Sequence, residues 1–335
     1  MSRRYPVQIT GVALVAVAAL GIAACGSSSP GKSSSGGSAK KTVELITGNA
    51  TDPFYISMAC GAMQEAAKLG VKLTVQGPTS FSVPLQKPII DTIETTKPNA
   101  LVVAPTDDQK LDSDLQRIAS NGTKVIFVDT SVLDPSIGLS RISSNNQQGG
   151  AVAADSLGSM LGGKGTVGVI SMAKGTSTTD ARVQGFEKEM QAKYPNVKLL
   201  TEQNDVAATT TQATTFAEGD ITATPHLSGF FAANTVTAQG VAAGIQHASK
   251  VGTVKLVTFD AEPTEVQMLS GGVAQTIIAQ EPTLEGADGV IQAVNAIEGK
   301  HVTTSIPTPL TAISKTNMND PSVKSLIYKS STSGC

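Results

Sequence analysis

Residues 43–75 read VELITGNATDPFYISMACGAMQEAAKLGVKLTV, and this stretch decides the fold. It opens on five residues rich in apolar and β-branched side chains, 43–47. A Gly, Asn, Thr, Asp and Pro turn follows, then a longer amphipathic run over 55–69, and after Gly70 a second short apolar run over 71–75. Short β-branched runs read as strands and longer amphipathic runs as helices. The unit is strand–helix–strand, and it recurs along the chain. Further strands are expected at 100–103, 125–128, 167–171, 197–201, 229–231, 254–259 and 274–279. Helices are expected at 109–121, 148–161, 180–194, 209–223, 238–248 and 283–298. Five-residue apolar strands that each feed a helix require parallel sheets covered on both faces. Nine strands, with fresh turn chemistry near Ile142 to Asn146, imply two doubly wound α/β sheets.

In open α/β sheets a ligand sits outside the carboxyl ends of the strands. Asp52, Phe54 and Tyr55 follow the first strand there, and Asp129 and Thr130 the fourth; Arg182, Asn234, Asp260 and Gln280 follow later ones. Carboxylates accept hydroxyl protons, a guanidinium donates in a planar fork, and amides do both. Aromatic faces cover the C–H side of a ring. The set suits a neutral polyhydroxyl ligand. Each residue also has a plainer reading. Asp52 before Pro53 is what a helix N-terminus wants, Asn234 can cap the next helix, and Phe54 and Tyr55 can pack in a core. Arg182 can pair with Asp180 or Glu187, and Gln280 before Pro282 can be a connector.

Catalytic alternatives find no support. The chain has no G-x-S-x-G elbow, and its three His, at 226, 247 and 301, lack metal spacing. No catalytic, metal or cofactor role is therefore expected.

The first residues speak for export. Arg3 and Arg4 precede an apolar run over 11–24 that ends in Ile22-Ala23-Ala24-Cys25. That run is short for a membrane span of about 20 residues and has the build of a signal peptide over 1–24. Ile22 to Cys25 resembles the bacterial lipobox, in which the Cys is acylated, so Cys25 is the expected lipid attachment. Residues 25–41 are almost all Ser, Gly and Lys and form a flexible tether. Gly26, Gly31, Lys32 and Ser33 match the phosphate-loop pattern by chance, since no strand or helix flanks them. Without Arg3 and Arg4 the 25 basic residues become 23, against 27 acidic, a balance that gives no reason to bind nucleic acid. Beyond Cys25 only Cys60 and Cys335 remain, and two thiols in an exported chain allow one disulfide; the alternative for Cys60 is a small buried core thiol.

From about Thr42 to Leu310 the chain resembles the ribose-binding-protein-like solute receptors of bacterial ABC importers, which share the type I periplasmic binding fold. Asp52-Pro53-Phe54-Tyr55 is similar to the family's Asn-Pro-Phe-Phe turn, and 101–107 to its third strand with a Pro-Thr-Asp exit. Gly175-Thr-Ser with Arg182 resembles a loop carrying a ligand arginine. The stretches 231–234, 257–260 and 276–280 resemble the segments bearing Asn, Asp and Gln ligands. The resemblance implies two lobes joined by three crossings near Ser143, Gln280 and Pro309, with 42–143 and 281–309 in the first lobe and 144–280 and 310–320 in the second. It implies sugar contacts at Asp52, Phe54, Tyr55, Asp129, Arg182, Asn234, Asp260 and Gln280, and delivery of a sugar or polyol by a monomer to the permease subunits. Three departures bear on the ligand. Asp52 stands where ribose receptors carry Asn, Thr130 replaces an arginine, and no stacking Phe lies near Val206. Gly77-Pro78-Thr79 and Pro84-Leu85-Gln86 are loosely similar to receptors for a furanosyl autoinducer, so a sensory role is the alternative.

The family's last crossing leaves the chain in the second lobe. A bridge between Cys60 and Cys335 therefore requires the tail to run back to the first, with a short helix at 321–328 along the way. That tail is expected to lie far from the ligand and to affect function little.

Overall fold

The computed structural model describes residues 40–134 and 136–335. The expected signal peptide, lipid-bearing Cys25 and most of the tether lie outside the described residues.

The chain begins with β1 (Thr42–Ile46), α1 (Pro53–Leu69), β2 (Lys72–Gln76), α2 (Val83–Asp91), α3 (Ile93–Thr96), β3 (Ala100–Val103), α4 (Asp112–Ser120), β4 (Lys124–Val128) and β5 (Ser140–Ser144). It continues through α5 (Asn146–Met160), β6 (Lys164–Met172), α6 (Ser177–Lys193), β7 (Asn196–Leu199), β8 (Gln203–Asp205), α7 (Thr210–Ala223) and β9 (Leu227–Ala232). Next come α8 (Thr235–His247), β10 (Lys255–Phe259), α9 (Pro263–Gly271) and β11 (Thr276–Ala279). Last are α10 (Pro282–Ile297), β12 (Ser305–Thr308), β13 (Thr311–Ser314) and α11 (Pro321–Lys324).

Two sheets form, in the orders β12-β5-β4-β3-β1-β2 and β13-β11-β10-β9-β6-β7, with β8 also on β6. Every pairing is parallel except that of β13 with β11. This is the α/β architecture the sequence implied. The strands 100–103 and 125–128 are buried along nearly their whole length, as a parallel sheet covered on both faces demands.

The chain passes between the sheets three times: at Asn145 between β5 and α5, at 280–281 between β11 and α10, and at 309–310 between β12 and β13. One buried side chain links all three. Glu285 of α10 accepts hydrogen bonds from Ser144 Oγ at the end of β5 and from Thr308 Oγ1 at the end of β12, each at 2.9 Å. Burial, followed by the nearby Asp129, pushes its carboxyl up to about 8.

Several local expectations need correction. The supposed turn at 142–146 is the end of β5, with the break delayed to Asn145, whose side chain caps α5 at Gln148. The strands β5, β8, β12 and β13 and the helices α2, α3 and α9 were not anticipated. The expected helix at 321–328 is a single turn, α11. It continues as turns, the N–H groups of Ser325, Leu326 and Ile327 donating back to the carbonyls of Pro321, Val323 and Lys324.

The candidate ligand cleft

Between the carboxyl ends of the two sheets lies a cavity of about 90 Å³. All eight residues singled out in the sequence line it: Asp52, Phe54, Tyr55, Asp129, Arg182, Asn234, Asp260 and Gln280. The lobes meet around it. The Asp108 N–H donates to Gly175 O at 3.0 Å, and the Ser131 N–H to Ser177 Oγ at 3.1 Å.

Asp129 and Asp260 are placed by one device used twice. Each follows its strand directly, β4 or β10, and each turns into the left-handed region, with φ 58° and 79°. Their N–H groups are held by the neighbouring strand, Asp129 by Ile142 O at 2.8 Å and Asp260 by Ile278 O at 2.9 Å. A left-handed non-glycine residue costs on the order of 1 kcal/mol, and such strain collects at functional sites. Here it aims two carboxylates into the cleft, one from each lobe.

Asp52 caps α1, accepting from the Phe54 N–H at 2.8 Å, and also lines the cavity. Asn234 likewise forms a capping box with Thr237 on α8 while facing the cavity. Tyr55 donates its hydroxyl to Asp129 Oδ2 at 2.6 Å, and its ring packs edge-on to Phe54 with centroids 5.1 Å apart.

Arg182 pairs with neither Asp180 nor Glu187 in the structure. Its guanidinium donates to Asn146 Oδ1 at 2.7 Å, Ala233 O at 2.9 Å and Gln280 Oε1 at 2.8 Å, and lies 4.1 Å over the Phe259 ring. Gln280 passes the network on, donating from Nε2 to Asp260 Oδ1 at 2.6 Å. Asp260 Oδ2 accepts from the N–H and the hydroxyl of Thr235 at 3.1 and 3.2 Å. Buried polar groups cost heavily when unpaired, so this network presets the cleft before any ligand arrives.

Acid outweighs base in this space. Asp52 lies within hydrogen-bonding reach of Glu262, a carboxyl of the second lobe that the sequence reading missed. Burial, and then the charge of Asp260, push Asp52 up to about 7; burial, and then Asp52, push Glu262 up to about 10. Asp129 rises to about 6, chiefly through burial. Two carboxyls this close cannot both ionise cheaply, and both are accordingly pushed upward.

Residues lining the cavity were missed as well. Phe81 supplies an aromatic face from the first lobe, whereas Val206 is 71% exposed and Ala208 lines the wall on that side. Thr176, Thr178 and Thr179 line the cavity from the second lobe. Gln86, in the stretch loosely similar to autoinducer receptors, is an internal strut: its Nε2 donates to Thr47 O and Ala104 O, and its Oε1 accepts from the Thr106 N–H.

The tail is not remote from the cleft. Tyr328 is buried, its N–H donates to Ala261 O at 3.0 Å, and its hydroxyl donates to Asp260 Oδ1 at 3.3 Å and accepts from the Gln280 N–H at 3.1 Å. The expectation of a distant tail fails because the chain after α11 is drawn in by these bonds. The structure joins Cys335 to Cys60, with Cα atoms 5.1 Å apart.

The chain resembles known proteins over most of its length. It is 29% identical to the ribose import binding protein of Salmonella typhimurium, a match covering 83% of this chain and 92% of that protein. It is 24% identical to the D-apiose import binding protein of Actinobacillus succinogenes, over 75% and 80% of the two chains. Among solved structures, an ABC transporter solute binding protein from Agrobacterium vitis bound with α-D-tagatopyranose superimposes with a TM-score of 0.84 at 38% identity, covering 87% of this chain and all of that one. A carbohydrate transporter solute binding protein from Agrobacterium radiobacter in complex with D-arabinose gives 0.81 at 27%, covering 87% and 99%. The profile of the periplasmic binding protein domain family matches residues 43–301. On the two parallel sheets, the cleft between their carboxyl ends and this match, the chain belongs to the periplasmic binding protein domain family, with the type I periplasmic binding fold.

Proposed function

We propose that this protein is the lipid-anchored sugar receptor of an ABC importer, capturing a monosaccharide in the cleft and handing it to the permease. The observation that carries the reading is the gathering of Asp52, Asp129, Arg182, Asn234, Asp260 and Gln280 from both lobes around one cavity. A ligand closes a two-lobed protein only if it binds the closed form better, so its contacts must come from both sides. Asp52, Phe54, Tyr55 and Asp129 serve the first lobe, Arg182, Asn234 and Asp260 the second, and Gln280 the crossing. Binding, not turnover, is the role of such a set.

A ketohexose pyranose ranks ahead of ribose. The relative bound with α-D-tagatopyranose is 38% identical, and the ribose import relative 29%. Asp52 and Thr130 also remove two groups that ribose receptors carry. Anchoring at Cys25 is supported by Ile22-Ala23-Ala24-Cys25 and the Ser/Gly stretch behind it. A thermal-shift panel of D-tagatose, D-arabinose, D-ribose, D-allose and polyols tests the reading. A ligand at 100 times its Kd adds about 2.7 kcal/mol, so a shift of several degrees with a monosaccharide is expected. No shift with any of them, from folded protein, rejects the sugar-receptor role.

A further inference from the structure

Two neighbouring residues in the tail are attached to opposite lobes. Tyr328 is fixed to the second lobe through Ala261 O, Asp260 Oδ1 and the Gln280 N–H. The next residue, Lys329, donates its N–H to Ser57 Oγ of α1 in the first lobe at 2.7 Å. The Tyr328 ring also packs edge-on against Phe54, with centroids 5.7 Å apart and planes at 69°. Seven residues on, Cys335 is bonded covalently to Cys60, again on α1. Upstream, the tail leaves the second sheet from β13, and Val323 is buried on the way.

We propose that residues 315–335 form a strap that ties the two lobes a fourth time, and that Tyr328 within it is a positioning residue for Asp260 and Gln280. The three backbone crossings allow the lobes to swing. A strap fastened on both sides beside those crossings restricts how far they part. Seven residues span at most about 24 Å when extended, so the disulfide does not weld the cleft shut. It keeps the Tyr328 and Lys329 bonds at high effective concentration, so they re-form after each opening. The phenol suits its place. Burial, and then the charge of Asp260, hold its pKa well above the ordinary value, so it remains a donor to the Asp260 carboxylate. With Tyr328 on Asp260 Oδ1 and Thr235 on Oδ2, both carboxylate oxygens are steered from behind the cleft. Opening the disulfide thereby loosens a ligand-facing carboxylate without touching the ligand.

The test compares the ligand-free full chain, disulfide intact, with Tyr328→Phe, with Cys335→Ser and with wild type reduced by dithiothreitol. Amide exchange is followed at Gln280 and Lys329, and lobe separation by small-angle scattering. Tyr328→Phe keeps the ring, so global stability changes little, while exchange at Gln280 rises at least tenfold. Cys335→Ser and the reduced protein both show faster exchange at Lys329 and a larger radius of gyration. Should Cys335→Ser fold poorly, the reduced wild type carries the same comparison. Wild-type exchange at Gln280 in Tyr328→Phe overturns the positioning role, and an unchanged radius after reduction overturns the strap. A fall of about tenfold in affinity for D-tagatose in Tyr328→Phe is the added consequence if the sugar-receptor reading holds. Failure of the wild type to bind D-tagatose counts against that reading alone and leaves the exchange and scattering tests standing.

Discussion

Asp129 and Asp260 show how far single residues can be read. Each stands where an apolar strand stops, and that position alone marked it. Their left-handed backbones and the shared habit of bonding the next strand follow from the same placement. Asn234 and Gln280 were marked in the same way, and Arg182 from its place just inside the helix after a strand. Glu262 was not, because Glu before Pro263 has the form of an ordinary helix entry, and its importance comes from Asp52 more than 200 positions earlier. That acid pair yields a prediction. The folded protein retains protons that free carboxyls release near pH 4, so this part of its stability is present in acid and drains as pH climbs from about 4 through 7, the value to which Asp52 is raised. Asp52→Asn keeps a capping side chain and removes the charge. Its melting temperature should exceed wild type by about 2 °C or more at pH 8, with the gap closing by pH 5. Calorimetric scans at both pH values check this, and a variant weaker than wild type throughout contradicts it.

At the scale of elements, apolar strands and amphipathic helices announced themselves, and the polar or interrupted ones did not. All nine expected strands form. β5 reads Ser-Arg-Ile-Ser-Ser and β12 carries Pro307 at a sheet edge, so neither shows the apolar run that marks a buried strand. α2 holds Pro84 and Pro88, which read as breakers. Helix pairing was also illegible, although it depends on specific glycines. A Cβ on Gly150 of α5 would overlap the backbone carbonyl of Arg182 on α6, and one on Gly61 of α1 would overlap Thr283 O in the first turn of α10. Close approach of α5 and α6 is therefore what seats Arg182. Gly150→Ala should lower stability by about 1–3 kcal/mol through overpacking. Gly219→Ala, in α7 with open space around it, should raise stability by up to about 1 kcal/mol through helix propensity. Urea titrations of the two variants against wild type measure both signs; equal effects would contradict the packing account.

The described residues form two sheets with a cleft between their carboxyl ends, and the expected signal peptide and lipid attachment lie outside them. The passage of the tail back to the first lobe was inferred from two lone cysteines and the family's last crossing. Its contact with the cleft was not, since Tyr328 is 48 residues from Gln280 and 68 from Asp260 and no local pattern links them. The same two-ended logic applies at the other terminus. Cys25→Ala should leave the precursor uncut or release the protein from the membrane, seen by fractionation and mass; unchanged processing and retention would exclude lipid attachment there.

The central claim is that one monosaccharide is held between Arg182 of α6 and Asp260 after β10 on one side and the first-lobe carboxylates on the other. Titration calorimetry of the disulfide-intact protein with D-tagatose, D-arabinose and D-ribose tests it most directly. The account predicts one site per chain for at least one of these sugars. It also predicts a loss of about ten- to a hundredfold in affinity in Arg182→Ala and in Asp260→Ala, the cost of roughly 1.5–3 kcal/mol per charged hydrogen bond removed. Absence of binding for all three sugars, or affinity within twofold of wild type in both folded variants, would contradict it.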